Sequence, residues 1–376
     1  MPANLPPSRR AALAGAVTGA AVFVAGRSFA AGIVDPLLRP ALKTPRAVRA
    51  LLLGVARAGR RLVAVGEHGV VILSDDEGAN WRQAAAPVSD TMTATYFPTP
   101  TQGWAVGHDG VILRSADGGE NWAKQFDGHD ANRLIQADAN ARIKALKAGA
   151  NPADADAAAD AAAVIADDAQ AAVEFGPSRP LLAVWFRDER TGYAAGSYGQ
   201  IFQTRDGGGS WRSLAPRIDN PEGLHYSAVV PFADGGVLLA GEGGRVWLSR
   251  DEGASWRTIV AAAQTPLYGA VATDDGGLLV FGFGGRIFRS DDDGRSWGKL
   301  NSPANRTLVA ATRFNDGALA LADAGGGVIV SRDGGRSFIP VSPPGLVPVA
   351  GAAALSGGVL LVGGGGARTI ALTQRN

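Results

Sequence analysis

The sequence predicts an all-β fold, a seven-bladed β-propeller of four-stranded blades with one helical insertion. Three observations predict it. A Ser/Thr-x-Asp-x-Gly-x-x-aromatic pattern recurs six times, mostly 41 residues apart. A Gly-x-x-Gly step stands ahead of it in nearly every copy. Between the two lie apolar segments of four to six residues, which is strand length and not helix length. A four-stranded repeat of about 40–45 residues is the size of a propeller blade. One such sheet cannot bury both of its faces, so neighbours must stack.

The first thirty residues stand apart from the repeats. "PSRRAALAGAVTGAAVFVAGRSFA" has a basic start, an apolar stretch and a small-x-small site at Ser28-Phe29-Ala30. Ser8-Arg9-Arg10, the Gly/Ala-rich apolar stretch and Arg27 resemble a twin-arginine export signal, although Ala12 stands where Phe is common. An ordinary secretory signal and an uncleaved anchor are the alternatives. We therefore expect residues 1–30 to be a signal, residues 31–376 to be the propeller, and the location to be periplasmic, with membrane association as an option. No later stretch is long enough to span a bilayer. Residues 33–47 are expected to supply the outer strand of the last blade, because the chain ends at "ALTQRN", where a motif copy should follow.

The motif copies are Ser74-Asp76-Gly78-Trp81, Ser115-Asp117-Gly119-Trp122, Thr204-Asp206-Gly208-Trp211, Ser249-Asp251-Gly253-Trp256, Ser290-Asp292-Gly294-Trp297 and Ser331-Asp333-Gly335-Phe338. Their aromatics are separated by 41, 89, 45, 41 and 41 residues. The Gly-x-x-Gly steps are Gly66/Gly69, Gly107/Gly110, Gly196/Gly199, Gly241/Gly244, Gly282/Gly285 and Gly363/Gly366; the sixth copy has Asp323 and Gly326. In the third repeat "LLAVWF" (181–186), "GYAAG" (192–196), "QIFQT" (200–204) and "SWRSLA" (210–215) read as its four strands. The motif then falls in the turn between third and fourth strands. There an Asp carboxylate can accept backbone N–H groups and a glycine can take positive φ. The aromatic begins the outer strand and can pack between blades. These aspartates are thus read as turn clamps. "SDDDGRSW" (290–297) lacks the ligand register of a calcium loop.

The spacing of 89 hides an insertion of about 48 residues, roughly 128–177. "NRLIQADANARIKALKAG" (132–149) has helical apolar spacing and ends on Gly149. Asn151-Pro152 can start a second helix running to about Glu174. Arg133, Arg142, Lys144 and Lys147 lie on the first helix, and Asp154, Asp156, Asp160, Asp167, Asp168 and Glu174 on the second. An antiparallel hairpin would oppose these charges.

These repeats look like the Asp-box, or bacterial neuraminidase, repeat. "GWAVGHDGVILRSADGGENW" with "GYAAGSYGQIFQTRDGGGSW" resembles more closely the photosystem II assembly/stability factor family of propellers (WD40/YVTN-like in architecture), and in particular its proteobacterial branch. The resemblance covers nearly the whole chain after the signal. It implies a binding protein that assists assembly of a membrane complex. In a host without photosynthesis it implies, by analogy of context, a partner such as an export system of the resistance-nodulation-division class.

Composition narrows the rest. With no Cys there are no disulfides, thiolate metal sites or cysteine nucleophiles. Lys and Arg number 36 against 35 Asp and Glu, so no basic surplus points to nucleic acid. In a four-stranded blade, the Gly-x-x-Gly turns and the links between blades share the face opposite the Asp boxes. That face is expected to carry the insertion, Glu67, His68, His108, Asp109, Tyr198, Glu242, Phe283, His129 and His225. Of these, His68, His108, Asp109, Tyr198, Glu242 and Phe283, with Arg245 and Arg286, form the expected protein-binding set. Arg114, Arg245, Arg286 and Arg289 lie on third strands, either as a basic stripe or as solvated strand faces. The histidines show no ligand spacing, so neither metal nor cofactor is expected, and no small-molecule substrate. The competing function is a sialidase-like glycoside hydrolase. It needs an arginine triad and a Tyr–Glu pair. Tyr226 with Glu222 is the nearest such pair in sequence.

Overall fold

The computed structural model describes residues 35–149, 155–232, 235–261, 265–341 and 347–372. The expected signal, residues 33–34 of the expected closing strand, and Asn151-Pro152 lie outside them.

Seven antiparallel sheets follow one another along the chain. The first contains Leu52–Ala58, Arg61–Gly66, Val71–Ser74 and Arg82–Gln83. The second contains Met92–Tyr96, Gly103–Gly107, Ile112–Ser115 and Ala123–Phe126. The third is Leu181–Phe186, Gly192–Gly196, Ile201–Thr204 and Arg212–Ser213, close to the four strands read from its sequence. The fourth runs Tyr226–Phe232, Gly236–Gly241, Arg245–Ser249 and Arg257–Val260. The fifth runs Leu267–Ala272, Leu278–Gly282, Ile287–Ser290 and Gly298–Lys299. The sixth runs Leu308–Arg313, Leu319–Asp323, Val328–Ser331 and Ile339–Val341. The seventh has three strands, Val349–Leu355, Gly358–Gly363 and Gly366–Ala371. Each first strand touches the first strands of both neighbouring sheets, and the first touches the seventh, so the order closes into a ring.

The strand sequences follow from their place. Second strands such as "GWAVG" are buried at every residue, because neighbouring sheets cover both faces. The first strand of the seventh sheet, "VAGAAAL", instead alternates buried and half-buried residues. Every Gly-x-x-Gly turn folds back under the residue preceding the first strand of its sheet. A Cβ on Gly107 would lie 2.3 Å from the carbonyl oxygen of Thr91, so glycine is needed there for room.

Seven apolar clusters fill the seven seams, and the motif aromatics reach into six of them. Trp122 packs with Val63 and Leu73 of the first sheet. Trp211 packs with Trp104 of the second, Trp256 with Tyr193 of the third, and Trp297 with Leu248 of the fourth. Phe338 packs with Leu279 of the fifth. Trp81 packs with Leu360 and Val362 of the seventh sheet and so seals the ring. Among the described residues the sixth–seventh seam has no motif aromatic; Ala310, Ala320, Val328, Val349 and Leu361 fill it.

The described N-terminal residues, from Asp35 on, do not complete the seventh sheet. Residues 35–44 run instead along the end of the first sheet, bonding Ser89, Ala86 and Gln83. Only the 3₁₀ turn Ala47–Arg49 approaches the last strand, where the Val48 carbonyl abuts Gly366. Trp81 already closes the ring by side-chain packing, so a shared strand is not required.

The insertion forms helices α1 (Gly128–Gly149) and α2 (Ala155–Glu174), which pack on each other. Helix α1 starts four residues before the expected Asn132. Asp127 Oδ1 accepts the N–H of His129 (3.0 Å) and Asp130 Oδ2 accepts that of Asp127 (3.1 Å), a reciprocal cap. Ala139, Ala162 and Ala169 are buried within the pair. The opposed charges do not meet: among the described residues the ion pair on α1 is Arg133 with Asp130 of the same helix.

Candidate protein-binding face

The six Asp boxes share one hydroxyl–carboxylate geometry. In the second, Asp117 Oδ1 accepts from Ser115 Oγ (2.9 Å) and from the N–H of Asn121 (3.0 Å), and Oδ2 accepts from Asn121 Nδ2 (2.8 Å). Ser115 Oγ accepts from the N–H of Gly119 (2.8 Å), whose φ is +91°. The Trp122 indole N–H returns to the Gly119 carbonyl at 2.9 Å. Asp76, Asp206, Asp251, Asp292 and Asp333 repeat the carboxylate pattern with Asn80, Ser210, Ser255, Ser296 and Ser337. The indole bond recurs at Trp81 and Trp256, whereas Trp211 and Trp297 Nε1 have no partner among the described residues. The Asn and Ser partners, just before the aromatic, were not singled out in the sequence; their Asn/Ser restriction was the available signal. The hydrogen bonds hold all six carboxyls below the usual range. These aspartates are occupied in holding turns.

The opposite face carries three groups. At the first and second sheets, the turns Glu67–Gly69 and His108–Gly110 expose His68 and His108. His68 and Asp109 occupy equivalent apices in left-handed backbone, φ 54° and 52°. Burial raises the Asp109 carboxyl, which His108 and His129 oppose.

At the third and fourth sheets, Tyr198 takes the same apex with φ 57°, a strained geometry for a bulky residue. It is 59 % exposed. His225 meets its ring edge-on at 5.0 Å between centroids, and Arg179 lies over the ring at 5.3 Å. Glu242 accepts the His225 N–H at 2.9 Å. Arg179 also feels Asp168 of α2, so the insertion and the Tyr198 turn are electrostatic neighbours. Helix α1 contacts the His108–Gly110 turn and the outer strand of the third sheet.

At the fifth to seventh sheets a groove of about 520 Å³ opens. Its walls are Phe283, Asn305, Arg306, Ala324, Val347 and Pro348. Val347 and Pro348 also border a smaller cleft of about 140 Å³ that reaches Arg368. Phe283 is 53 % exposed. Arg286, next to the Phe283 turn, donates to Thr265 at 2.6 Å. Neither Arg286 nor Arg306 is in an ion pair among the described residues. The groove lies beside the seam that has no motif aromatic.

The expected set is therefore not one patch. His68, His108 and Asp109 belong to the first group, Tyr198, Glu242 and Arg245 to the second, and Phe283 and Arg286 to the third. Arg245 is engaged by Glu222 at 3.0 Å. Nor do the four third-strand arginines form a stripe. Arg245 begins its strand and Arg286 directly precedes its own, whereas Arg114 and Arg289 stand next to last in theirs, beside the Asp boxes. Arg114 bonds Gln102 and covers Trp104, and Arg289 is buried between Asp275 and Asp291. Asn305, Arg306, Val347 and Pro348 were missed, since they lie in links that carry no repeat signal.

Chemistry is equally constrained. Tyr226 is fully buried, bonds Asn220 and is pushed up to about 12, mainly by burial. Glu222, meanwhile, pairs with Arg245, so Tyr226 and Glu222 do not act on each other. Among the described residues no three His, Asp or Glu side chains gather to hold a metal. No described helix is long and apolar enough to cross a membrane.

Residues 164–340 match the sequence model of the photosynthesis system II assembly factor YCF48. This stretch, just under half of the chain, resembles a photosystem II assembly factor-like propeller. The chain is similar to a solved structure described as YCF48 bound to D1 peptide, with TM-score 0.61 and 17 % identity over 89 % of this chain and 100 % of that one. It is similar to YCF48 from Cyanidioschyzon merolae, with TM-score 0.58 and 15 % identity over 86 % of this chain and 96 % of that one. The WD40 β-propeller domain of Doa1 gives TM-score 0.58 and 11 % identity over 90 % of this chain and 97 % of that one. At such identities the likeness concerns the fold. No curated protein matches the sequence.

Proposed function

We propose that this assembly factor-like chain is an exported, non-catalytic seven-bladed propeller. In this reading it binds an extended segment of a protein partner and assists the assembly or stability of a membrane complex. The groove across the fifth to seventh sheets carries the proposal. It is open and partly apolar through Phe283 and Val347, with Arg286 and Arg306 available to acidic side chains. Concave sites of this kind, on a rigid scaffold, are where binding concentrates. The similar YCF48 structure holds a peptide, which supports a protein ligand. The periplasm is the proposed location, on the strength of residues 1–30. A transporter of the export class is the candidate partner outside photosynthesis.

The test is affinity capture from membranes with the tagged full chain. Phe283→Ala/Arg306→Ala should lose most of the captured partner while melting like the wild type. Charge reversal at Arg205 and Arg332, on the Asp-box side, should leave capture unchanged. Full capture by the groove variant, or its loss in the reversal variant, would place the working surface elsewhere.

A further inference from the structure

The stretch 35–44 crosses the end of the first sheet as a strap. Pro36 O accepts from the Ser89 N–H at 2.9 Å, and Arg39 Nε donates to Ser89 Oγ at 3.0 Å. The Ala41 N–H donates to Ala86 O at 3.1 Å, and Gln83 Nε2 to Leu42 O at 2.9 Å. Leu37 is 2 % exposed in the seam between the first and second sheets. Lys124 Nζ reaches the Leu37 carbonyl at 3.3 Å.

Next to Ser89 stands Asp90, which is 7 % exposed, with its Oδ2 enclosed and without a hydrogen-bond partner among the described residues. Three charged groups act on it, each from a different element. Asp35 belongs to the strap itself, Asp109 to the His108–Gly110 turn, and Lys124 to the outer strand of the second sheet. Lys124 is the one cation, and its Nζ lies 2.8 Å from Asp127 Oδ2, which claims most of its charge. His108 and His129 adjoin Asp109. A buried carboxylate facing two others, with its cation already engaged, is tolerable only as the neutral acid.

We propose that residues 35–44 are a pH-sensitive strap, latched over the first sheet while Asp90 is protonated and released when Asp90 ionises. Burial first, then Asp109 and Asp35, push the Asp90 carboxyl up to about 7. The sign follows from linkage. The latched form holds the proton and the released form gives it to water. Latching is therefore strongest below the ordinary carboxylate range, weakens as pH rises and is lost through about pH 7. Release uncovers the apolar seat of Leu37 and Ala41 beside the turn at Gly69.

Hydrogen exchange of the full chain, corrected for the intrinsic pH dependence, reads the strap directly. Between about pH 5.5 and 8.5, protection of peptides covering 35–44 should fall roughly tenfold or more, while Ile112–Ser115 stays protected. Asp90→Asn keeps the shape, removes the charge and should abolish the pH dependence. Asp35→Asn retains the side-chain oxygen that caps Leu37 and should make the fall in protection smaller and end it at lower pH, because a neutral neighbour leaves Asp90 easier to ionise without opening. A wild-type strap equally protected across the range would overturn the proposal. So would an unchanged pH dependence in folded Asp90→Asn, or, should that variant not fold, an undiminished fall in Asp35→Asn.

Discussion

Asp117 illustrates what one residue does in this protein. Its two carboxylate oxygens bind Ser115, the Asn121 backbone and the Asn121 side chain, and they freeze a turn that presents Trp122 to the neighbouring sheet. The clamp role was legible because Asp, Gly and an aromatic recur in register. The participation of Asn121 was not, since Asn and Ser alternate at that position and look like ordinary turn residues. We predict that Asp117→Ala destabilises by roughly 1–3 kcal/mol through unsatisfied turn N–H groups. Trp122→Ala, at 7 % exposure, should cost about 3–5 kcal/mol by emptying the seam. Denaturant melts that left both variants at the wild-type midpoint would refute the clamp. Tyr198 is the counterpart on the other face. The sequence marked it as an exposed turn residue, but only the backbone geometry reveals the strained apex between Arg179 and His225.

At the scale of elements, the insertion is separable from the sheets. Its ends are adjacent: Asn132 Nδ2 donates to the Gly176 carbonyl at 3.2 Å, and Gly128 abuts Pro177. Replacing 133–174 by a short Gly/Ser bridge should therefore leave the sheets folded. Some loss is expected because Leu134 packs on the second–third seam. For a domain of this size each kcal/mol corresponds to about 2–4 °C, so the thermal midpoint should drop by only a few degrees. Loss of the cooperative transition in the deletion would show that the helices are part of the core. The sequence announced these helices by breaking the 41-residue period. It did not announce that their opposed charges would stay apart, because alanine faces bring the helices together and leave Arg142, Lys144 and Lys147 in water.

For the whole molecule, six similar clamps make stability depend on acid in a predictable direction. Each Asp-box carboxyl is held below its ordinary value by hydrogen bonds in the fold. Its contribution is thus complete above the unfolded carboxylate pKa and is lost as pH falls through the folded one. The thermal midpoint should hold steady from about pH 6 to 5 and fall steeply below about pH 4. Asp117→Ala should fall less steeply than the wild type, having one clamp fewer to protonate. A wild-type midpoint flat to pH 2.5 would contradict this, and Asp90 acts in the opposite sense near neutrality. The sequence by itself determined the repeat, the strand boundaries, the turn chemistry and the place of the insertion, because each is fixed by contacts within about ten residues and by backbone preferences that local side chains express. The tertiary structure alone decided how the ring closes, with Trp81 against the seventh sheet in place of a shared strand, since that contact joins residues nearly three hundred apart in the chain. It also decided that Arg114 and Arg289 serve the Asp-box end, that a groove opens across the fifth to seventh sheets, and that Asp90 is buried beside Asp35 and Asp109. Burial, charge proximity and concavity belong to surfaces brought together from separate repeats, and no single repeat encodes them.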